Sequence, residues 1–395
     1  MQALRSNCYN DQISIYIHFP WCIKKCPYCD FNSYTYNKNI SEQNYIKKIL
    51  IDFDASLKFL LDINVNKKAI SSIFFGGGTP SLLSGKAIYK ILNHINKQIN
   101  FAKNVEITLE VNPGAVEQDS MQNYYESGIN RVSLGVQSFQ NEKLQSLGRI
   151  HNVDDIKTTI QNIINTNFSN FNLDIMYGLP NQSIDDAMYD LQQALSFEPS
   201  HVSWYQLTLE PDTAFYHKPP KLPIDNIVWD IMQHGFNILQ QYNYSNYEVS
   251  AFCKENYHCR HNLNYWQYGD YLGIGPGAHS KITSITNNNY NIHRLIKPKS
   301  PKSYFNSEFN FDNLMSGKRL LEPKEVIFEF MLNNLRLTQG FLKEDFKFKT
   351  SLDISCISDI IDSAVKKDLL KITKDRIKTT SLGRTFLNDL LELFI

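Results

Sequence analysis

The sequence predicts an α/β protein: a partial (β/α)6 barrel followed by a small C-terminal helical domain of winged-helix type. Six apolar, β-rich runs recur in the first part of the chain, each followed by a segment of helical period. Strands that crossover helices bury on both faces form a parallel sheet. Near 211–223 the proline density rises and the βα rhythm stops. Since six units are two short of a closed barrel, we expect an open barrel with its site at the C-terminal strand ends.

The predicted elements follow one another in this order. The strands are 13–19, 70–75, 105–111, 131–135, 171–176 and 202–209, and the helices between them are 42–59, 86–99, 118–127, 154–166 and 184–195. Several of these helices begin after a Ser or Asp that can cap the first turn. Beyond the prolines we predict helices at 225–241, 325–335, 357–366 and 381–394 and a strand at 370–373. The expected domains are a barrel (1–240), a connecting region (241–305) and the winged-helix-like domain (306–395).

Length and charge restrict the class of protein. A chain of 395 residues is long enough for a barrel and an appendage. Its 40 basic and 40 acidic residues give no overall field for nucleic acid or an anionic membrane, and the C-terminal domain has no concentrated basic face. No run approaches the length of a membrane span, and the start lacks a basic-then-apolar leader. We therefore expect a cytoplasmic protein that acts on small molecules and other proteins, with its thiols reduced.

Three cysteines, Cys22, Cys26 and Cys29, follow the first strand directly. A [4Fe-4S] cluster is normally held by four thiolates, so a set of three leaves one iron open to another ligand. A secreted disulfide framework predicts an even cysteine count in a short chain, whereas this chain has seven in 395 residues. A structural zinc site needs four ligands in paired clusters, and the other Cys and His candidates lie far downstream. The spacing therefore favours an iron-sulfur cluster with an open iron.

Small and polar residues recur where strands are predicted to end. Gly77, Gly78 and Thr79 follow the second strand, where glycines let the backbone approach a ligand and expose amide groups. An ordinary tight turn explains such a glycine run equally well. Polar side chains at the other strand ends are Glu110, Gln137, Arg149 and Asp174. Each of them alone fits a helix cap or a structural salt bridge as well as a ligand contact.

The cysteine motif, with the aromatic Tyr28 before its third cysteine, resembles that of the radical S-adenosylmethionine (SAM) superfamily. The resemblance implies a radical-SAM barrel in which SAM chelates the open iron and the loop of Gly77, Gly78 and Thr79 receives its amino group. Glu110, Gln137, Arg149 and Asp174 together resemble the SAM-contacting set of the oxygen-independent coproporphyrinogen oxidases and their relatives. Tyr16, Tyr28 and Thr208 extend this match. The likeness covers nearly the whole chain.

Within that family, three features favour the heme-chaperone branch. The oxidases carry a fourth cysteine two positions after the third, where this chain has Phe31. They also have a longer segment before the first cysteine, whereas Cys22 is preceded here by 21 residues. Finally, the sequence HNLNYW (261–266) resembles the H-N-x-x-Y-W motif linked to heme binding in the chaperones. One departure is Pro276, where the family pattern has a small or thiol residue.

The HNLNYW sequence also has a physical interpretation. A heme needs an axial ligand such as imidazole and a flat aromatic surface against its macrocycle. His261 would supply the first, and Tyr265 and Trp266 the second. A histidine beside aromatic residues is, however, more often a hydrogen-bonded packing residue. The competing ligands are His258, Cys259 and His279.

Two functions follow from the resemblance. The first is a heme chaperone that binds [4Fe-4S], SAM and heme and transfers heme to an acceptor protein. The alternative is an oxygen-independent coproporphyrinogen III dehydrogenase, in which a 5'-deoxyadenosyl radical drives oxidative decarboxylation of propionates. Cleavage of SAM would need an electron donor such as a flavodoxin or ferredoxin. A cluster-bearing regulator that contacts nucleic acid is disfavoured by the neutral charge. The sequence assigns no catalytic residue and leaves a homodimer open.

Overall fold

The computed structural model describes residues 11–36, 41–66, 69–114, 120–286, 289–307 and 311–395. Within them, 17 strands form one sheet of twelve strands, one of three and one of two. The strands are β1 (Gln12–Phe19), β2 (Trp21–Cys22), β3 (Tyr34–Thr35), β4 (Ala69–Gly77), β5 (Phe101–Val111), β6 (Arg131–Gln137), β7 (Phe171–Tyr177), β8 (His201–Gln206), β9 (Ser245–Glu248), β10 (Ala251–Cys253), β11 (Tyr271–Ile274), β12 (His279–Thr286), β13 (Asn289–Ile296), β14 (Gly317–Leu320), β15 (Phe341–Leu342), β16 (Leu370–Ile372) and β17 (Arg376–Thr379).

The centre of the large sheet confirms the predicted parallel barrel strands. Strands β1, β4, β5, β6, β7 and β8 lie side by side in that order, and every neighbouring pair is parallel. The register places apolar residues opposite one another, for example Ile15 beside Ile73 and Ile73 beside Ile107. All three are buried, as expected for strands covered on both faces. The carboxyl ends of these strands therefore meet at one edge, where a ligand site is expected.

Helices cover the outer face of this sheet. In the barrel part of the chain they are Glu42–Asp62, Gly85–Asn96, Met121–Glu126, Asn141–Ser146, Val153–Asn165, Ile184–Ser196, Ala214–His217 and Asp225–Gln241. The predicted helices are found, although position 118, the predicted start of the third, lies outside the described residues. Two short helices, Asn141–Ser146 and Ala214–His217, were not predicted. Side-chain caps fix several starts: Ser183, for example, accepts the backbone N–H of Asp186 in a capping box.

Six further strands extend the sheet beyond its parallel centre. On one side β10 and β9 follow β8 in antiparallel pairing. On the other side β11 pairs with β1 as an additional parallel strand, and β12, β13 and β14 continue antiparallel from it. The division at residues 240 and 305 stays a prediction. The structure adds that strands from both sides of the second boundary belong to the barrel sheet.

A buried ion pair fixes the loop after β11. The Asp52 carboxylate and the Lys297 ammonium are both fully buried and in contact. Tyr304 donates its hydroxyl to Asp52 over 2.6 Å, and the backbone N–H of Gly275 donates to the same carboxylate over 3.0 Å. A buried charge pair is stable only when hydrogen bonds satisfy its remaining atoms, and this one is so satisfied. Helix Glu42–Asp62 thereby holds the 275–278 loop against the barrel.

The C-terminal domain has its own apolar core, which includes Phe330, Phe341, Phe346 and Leu390. Helices Pro323–Asn334, Lys343–Thr350 and Ser358–Lys366 pack around the sheet of β15, β17 and β16. The predicted last helix is divided into Ser381–Thr385 and Leu387–Glu392, because Phe386 adopts φ −107° and ψ 43°. The other helical segments are Pro80–Leu82, Arg260–Trp266, Pro301–Asn306 and Ile354–Ile357. Among the described residues, no helix is both long and apolar enough to span a bilayer.

A candidate cofactor site at the mouth of the barrel

A cavity of about 700 Å³ opens at the carboxyl ends of the parallel strands. All the residues assigned from the sequence to the cluster, to SAM and to heme lie on its wall, apart from the competing heme ligands His258, Cys259 and His279. Those on the wall are Tyr16, Cys22, Cys26, Tyr28, Cys29, Gly77, Gly78, Thr79, Glu110, Gln137, Arg149, Asp174, Thr208, His261, Tyr265 and Trp266. Residues up to 250 positions apart in the sequence, Tyr16 and Trp266, thus share one cavity. The location is observed, whereas the role of each residue stays a prediction.

The cysteine loop is closed by a short parallel ribbon. Strands β2 and β3 pair Trp21 with Tyr34 and Cys22 with Thr35, and the backbone N–H of Cys29 donates to the carbonyl of Cys26 over 3.1 Å. The loop thus brings its three thiols to the cavity without regular secondary structure between them.

The chemistry of the thiols fits an iron-sulfur cluster. Burial raises the pKa of Cys22, and the neighbouring Cys29 raises it further. The Arg149 guanidinium lies 3.8 Å from the Cys26 sulfur and would offset negative charge there. All three cysteines line the main cavity, where their side chains can reach one ligand. Three thiolates on one loop match the protein ligands of a [4Fe-4S] cluster that keeps one iron open.

The glycine loop is packed against the cysteine loop. Gly77 has φ +114°, and a Cβ atom there would lie 2.5 Å from the His18 ring. A Cβ atom on Gly78 would lie 2.5 Å from the carbonyl oxygen of Trp21. Only glycine allows this approach. The expectation that the loop exposes its amides is wrong: Gly78 donates to Phe19 O over 2.7 Å, Thr79 to Trp21 O over 2.8 Å, and Gly77 to Glu110.

Two partly buried carboxyl groups, Glu110 and Asp174, face the cavity. Burial raises the pKa of Glu110 to about 8, and the charge of Asp174 adds to this, whereas the N–H of Gly77 at 3.0 Å opposes it. Burial likewise raises the pKa of Asp174, against hydrogen bonds from Asn172 (2.8 Å), Ser203 and Ser133 (3.2 Å) and against the charge of Arg131. Their hydrogen-bond donors are neutral groups. A cationic ligand in the cavity would stabilise both carboxylates.

Two of the four polar residues expected at strand ends lie elsewhere. Asp174 is the fourth residue of β7, and Arg149 follows helix Asn141–Ser146 rather than a strand. Gln137 ends β6 at a bulge, with φ +70°, and accepts the Tyr205 hydroxyl over 2.7 Å. Arg149 donates to the Gly135 carbonyl over 2.9 Å. All four nevertheless reach the same cavity.

Sequence reasoning missed two cavity residues that hold these groups. Asn112 accepts a hydrogen bond from Arg149, and Tyr205 donates one to Gln137. The sequence could have indicated Asn112, since it is a polar residue two positions after Glu110 at the end of a predicted strand. Tyr205 had none, because an aromatic residue in a strand is equally typical of the core.

The HNLNYW sequence forms the short helix Arg260–Trp266, which Glu106 on β5 anchors to the sheet. The Glu106 carboxylate accepts the backbone N–H groups of Arg260 and His261, each over 3.1 Å, and the Cys259 thiol over 3.6 Å. It thereby occupies the position of a capping group for the first turn. The only signal for Glu106 in the sequence was a charge within an apolar strand.

His261 lies beneath the cavity with only 1% of its surface exposed. Its Nδ1 is 2.9 Å from the Ser72 hydroxyl, and its Nε2 is 3.1 Å from the Tyr265 hydroxyl. Burial, together with the charge of Arg131, lowers the pKa of His261 to about 3, so the ring is neutral at pH 7. Because both ring nitrogens already have partners, the geometry favours a role in orienting Tyr265.

The competing ligands occupy different places. Cys259 is fully buried beside Glu106, and the His258 ring packs edge-on against Tyr247 with ring centroids 4.7 Å apart. His279 lies on a second cavity of about 340 Å³ next to the first. Trp266 contacts the C-terminal domain, because the Arg336 guanidinium lies 4.3 Å from the centre of its ring.

The chain is similar to known proteins over most of its length. The radical SAM superfamily profile matches residues 16–194, and that of the HemN C-terminal domain matches residues 321–386. The heme chaperone HemW of Haemophilus influenzae is 45% identical over 383 residues, covering 97% of this chain and 98% of the relative. The heme chaperone HemW of Escherichia coli is 41% identical with the same coverage. The chain belongs to the HemW family of heme chaperones.

A solved structure is similar in fold. Coproporphyrinogen III oxidase (HemN) from Escherichia coli, a radical SAM enzyme, superposes with a TM-score of 0.78, covering 100% of this chain and 93% of the oxidase. Its sequence identity of 20% limits that likeness to the fold. Together with the superfamily match, it confirms the radical-SAM fold expected from the cysteine motif. Membership of this superfamily implies a [4Fe-4S] cluster and SAM.

Proposed function

We propose that the protein binds a [4Fe-4S] cluster and SAM in the main cavity and carries heme for delivery to an acceptor protein. The observation that carries the proposal is the convergence of the cysteine loop, the partly buried carboxyl groups and the HNLNYW helix on this cavity. The similarity to proteins named heme chaperones supports heme as the cargo. The alternative, a coproporphyrinogen III dehydrogenase, has support only from the fold.

Cys22, Cys26 and Cys29 would hold the cluster. When bound, it would supply an open iron for SAM and a site from which an electron can be given to SAM. The Arg149 guanidinium, 3.8 Å from the Cys26 sulfur, would offset the charge of the thiolates. Both of its other hydrogen bonds, to Asn112 and to the Gly135 carbonyl, fix its position beside the loop.

The remaining wall of the main cavity suits SAM. SAM carries an ammonium and a sulfonium group, and the partly buried Glu110 and Asp174 have neutral hydrogen-bond partners and raised pKa values. A cation placed beside them would lower both pKa values, because its attraction to the two carboxylates favours their charged forms. The other residues assigned to SAM are Tyr16, Tyr28, Gly77, Gly78, Thr79, Gln137, Arg149 and Thr208.

Heme would bind as cargo against the aromatic residues of the HNLNYW helix. Tyr265 lines both cavities, and Trp266 lies between the main cavity and Arg336 of the C-terminal domain. His261 contributes by orienting Tyr265. The six cysteines in the described ranges are all unpaired, which suits the reducing cytoplasm. An electron donor such as a flavodoxin is needed only if SAM is cleaved.

One anaerobic preparation separates the two functions. The reconstituted protein, with its iron and sulfide counted, is titrated with hemin and in parallel incubated with reductant, SAM and coproporphyrinogen III. The proposal predicts stoichiometric hemin binding, seen in the absorption spectrum, and no protoporphyrinogen. Formation of protoporphyrinogen by a protein that also binds no hemin would establish the dehydrogenase instead.

A further inference from the structure

The second cavity lies beside the main one, where β11 turns into β12. Five residues line both cavities: Tyr16, Phe31, Gly77, Glu110 and Tyr265. The second cavity alone is lined by His18, Asn32, Tyr271, Gly277, Ala278 and His279. It therefore adjoins the cysteine loop at 31–32 and the HNLNYW helix at Tyr265.

Three histidines line the two cavities, and two of them are fully engaged. His18 Nδ1 is 3.1 Å from the Tyr16 hydroxyl, and its Nε2 is 2.8 Å from the carbonyl oxygen of Asn32. His261 is held in the same way by a hydroxyl on each side. His279 is exposed, and within the described part of the chain its ring nitrogens have no hydrogen-bond partner. It is the imidazole that is free to bind a metal.

The surroundings of His279 keep it neutral. Partial burial lowers its pKa, and the charges of Arg294 and Lys299 lower it further, so a lone pair is available at pH 7. Arg294 is already paired with Glu329, whereas Lys299 is exposed. A ligand that brings both a metal and carboxylate groups matches an imidazole next to such cations.

The backbone that carries His279 is rigid. The carbonyl of Pro276 accepts a hydrogen bond from the Asn32 side chain over 3.0 Å, and the carbonyl of Ala278 accepts the N–H of Lys297 over 2.9 Å. The buried Asp52 holds the N–H of Gly275. Since Asn32 is three residues after Cys29, the position of His279 is fixed relative to the cysteine loop.

Aromatic surface faces the same cavity. Tyr265 and Tyr271 pack edge to face with ring centroids 4.4 Å apart, and the Phe31 side chain is 56% exposed. A flat macrocycle gains contact area and ring interactions against such side chains. The exposed Phe31 stands at the position where the oxidases were expected to carry a further cysteine.

From this geometry we propose that His279 is the iron ligand of heme, and that one face of the heme packs against Phe31, Tyr265 and Tyr271 at the second cavity. The inference rests on the proposed function, which makes heme the cargo. It replaces His261 as the ligand, because both nitrogens of His261 are engaged and its ring is buried.

The test uses the full-length, cluster-reconstituted protein and hemin as the probe. His279→Ala is expected to weaken hemin binding at least roughly tenfold and to change the Soret spectrum, since it removes the iron ligand. His279→Cys is expected to restore binding with a thiolate spectrum. The matched control is His217→Ala, an exposed histidine on helix Ala214–His217 that lines neither cavity. It should leave affinity and spectrum unchanged.

The outcomes separate this inference from the proposed function. If His279→Ala binds hemin with wild-type affinity and spectrum, or if His279→Cys with intact cluster content fails to bind, His279 is not the ligand. If His261→Ala loses hemin in the same series while His279→Ala does not, heme binding stands and the ligand is His261. If the wild-type protein binds no hemin, the proposed function itself fails.

Discussion

The two adjoining cavities differ in the charge that they favour. The main cavity contains Glu110 and Asp174, partly buried carboxyl groups with neutral hydrogen-bond donors and raised pKa values, and also the guanidinium groups of Arg131 and Arg149. The second cavity contains the neutral imidazole of His279 with Arg294 and Lys299 close by. Glu110 lines both cavities, whereas Asp174 lines only the first and His279 only the second. Asp174 suits the ammonium group of a ligand in the first cavity, and the imidazole suits a metal-bearing ligand with acidic groups in the second. One opening in the barrel thus provides two chemically distinct sites.

The same comparison shows how closely the two sites are connected. Glu110 and Tyr265 line both cavities, and the cysteine loop contributes Cys22, Cys26 and Cys29 to one and Asn32 to the other. A ligand in either cavity would contact residues that also face the other. Substitutions in each cavity can show whether the cluster site and the heme site are lost separately.

The largest effect is expected from the cluster ligands. Cys26→Ala should abolish the [4Fe-4S] cluster, because the loop offers three thiols and a cluster cannot be retained stably on two. The measurement is iron and sulfide per chain after anaerobic reconstitution, together with the cluster absorbance. Cys356→Ala is the matched control, since this cysteine is exposed in the C-terminal domain. Wild-type iron content in Cys26→Ala would remove these cysteines as ligands.

The next largest effect is expected from breaking the buried ion pair between Asp52 and Lys297. Asp52→Ala leaves the Lys297 ammonium buried and unpaired and should lower the free energy of unfolding by about 3–5 kcal/mol, measured in urea. It also frees the N–H of Gly275 and should weaken hemin binding more than cluster binding.

The control for that substitution is Arg319→Ala, which breaks an exposed ion pair with Glu325. Its expected cost is below ~1 kcal/mol. If Asp52→Ala and Arg319→Ala lowered the free energy of unfolding equally, burial would not determine the cost of breaking an ion pair in this protein.

An intermediate effect concerns the pH dependence of the main cavity. The pKa of Glu110 is about 8 in the folded protein and near its ordinary value of about 4.3 in the unfolded chain, so the folded state binds more protons between them. The contribution of protonated Glu110 to the free energy of unfolding is complete below the pKa of the unfolded chain. It is lost as the pH rises towards the pKa of the folded protein, about 8. Glu110→Gln should remove up to ~5 kcal/mol of this dependence.

The measurement is urea unfolding of the ligand-free protein at a series of pH values. The control is Glu142→Gln, an exposed carboxylate on helix Asn141–Ser146. SAM affinity should also rise with pH in the wild type and lose this rise in Glu110→Gln. A pH profile unchanged by Glu110→Gln would show that this carboxyl group is not the one that titrates.

The smallest effect is expected where the HNLNYW helix meets the C-terminal domain. Arg336 lies over the Trp266 ring at 4.3 Å and pairs with Glu248 at 3.2 Å. Arg336→Ala should cost about 1–2 kcal/mol of unfolding free energy. Arg336→Lys should recover part of it, because a lysine keeps the charge but not the stacked guanidinium. If neither substitution changes the free energy of unfolding in urea, the contact of Arg336 with Trp266 does not stabilise the packing of the HNLNYW helix on the C-terminal domain.

The parallel barrel was predictable because its strands are apolar on both faces and alternate with amphipathic helices. The added strands β9 to β14 were not, since their residues are aromatic, polar or glycine-rich and gain their pairing only from the sheet edge. The predicted site residues did converge on one cavity. What the sequence did not reveal was how their hydrogen bonds are used: the glycine-loop amides and both nitrogens of His261 are occupied by partners distant in the chain.

The most direct test of two separate sites compares wild type, Cys26→Ala and His279→Ala prepared in parallel. Iron and sulfide content and the hemin Soret band are measured on each preparation. We predict that Cys26→Ala loses the cluster and still binds hemin, and that His279→Ala keeps the cluster and loses tight hemin binding. If His279→Ala binds hemin as wild type does, or if either substitution abolishes both ligands, the account of two distinct cavities is contradicted.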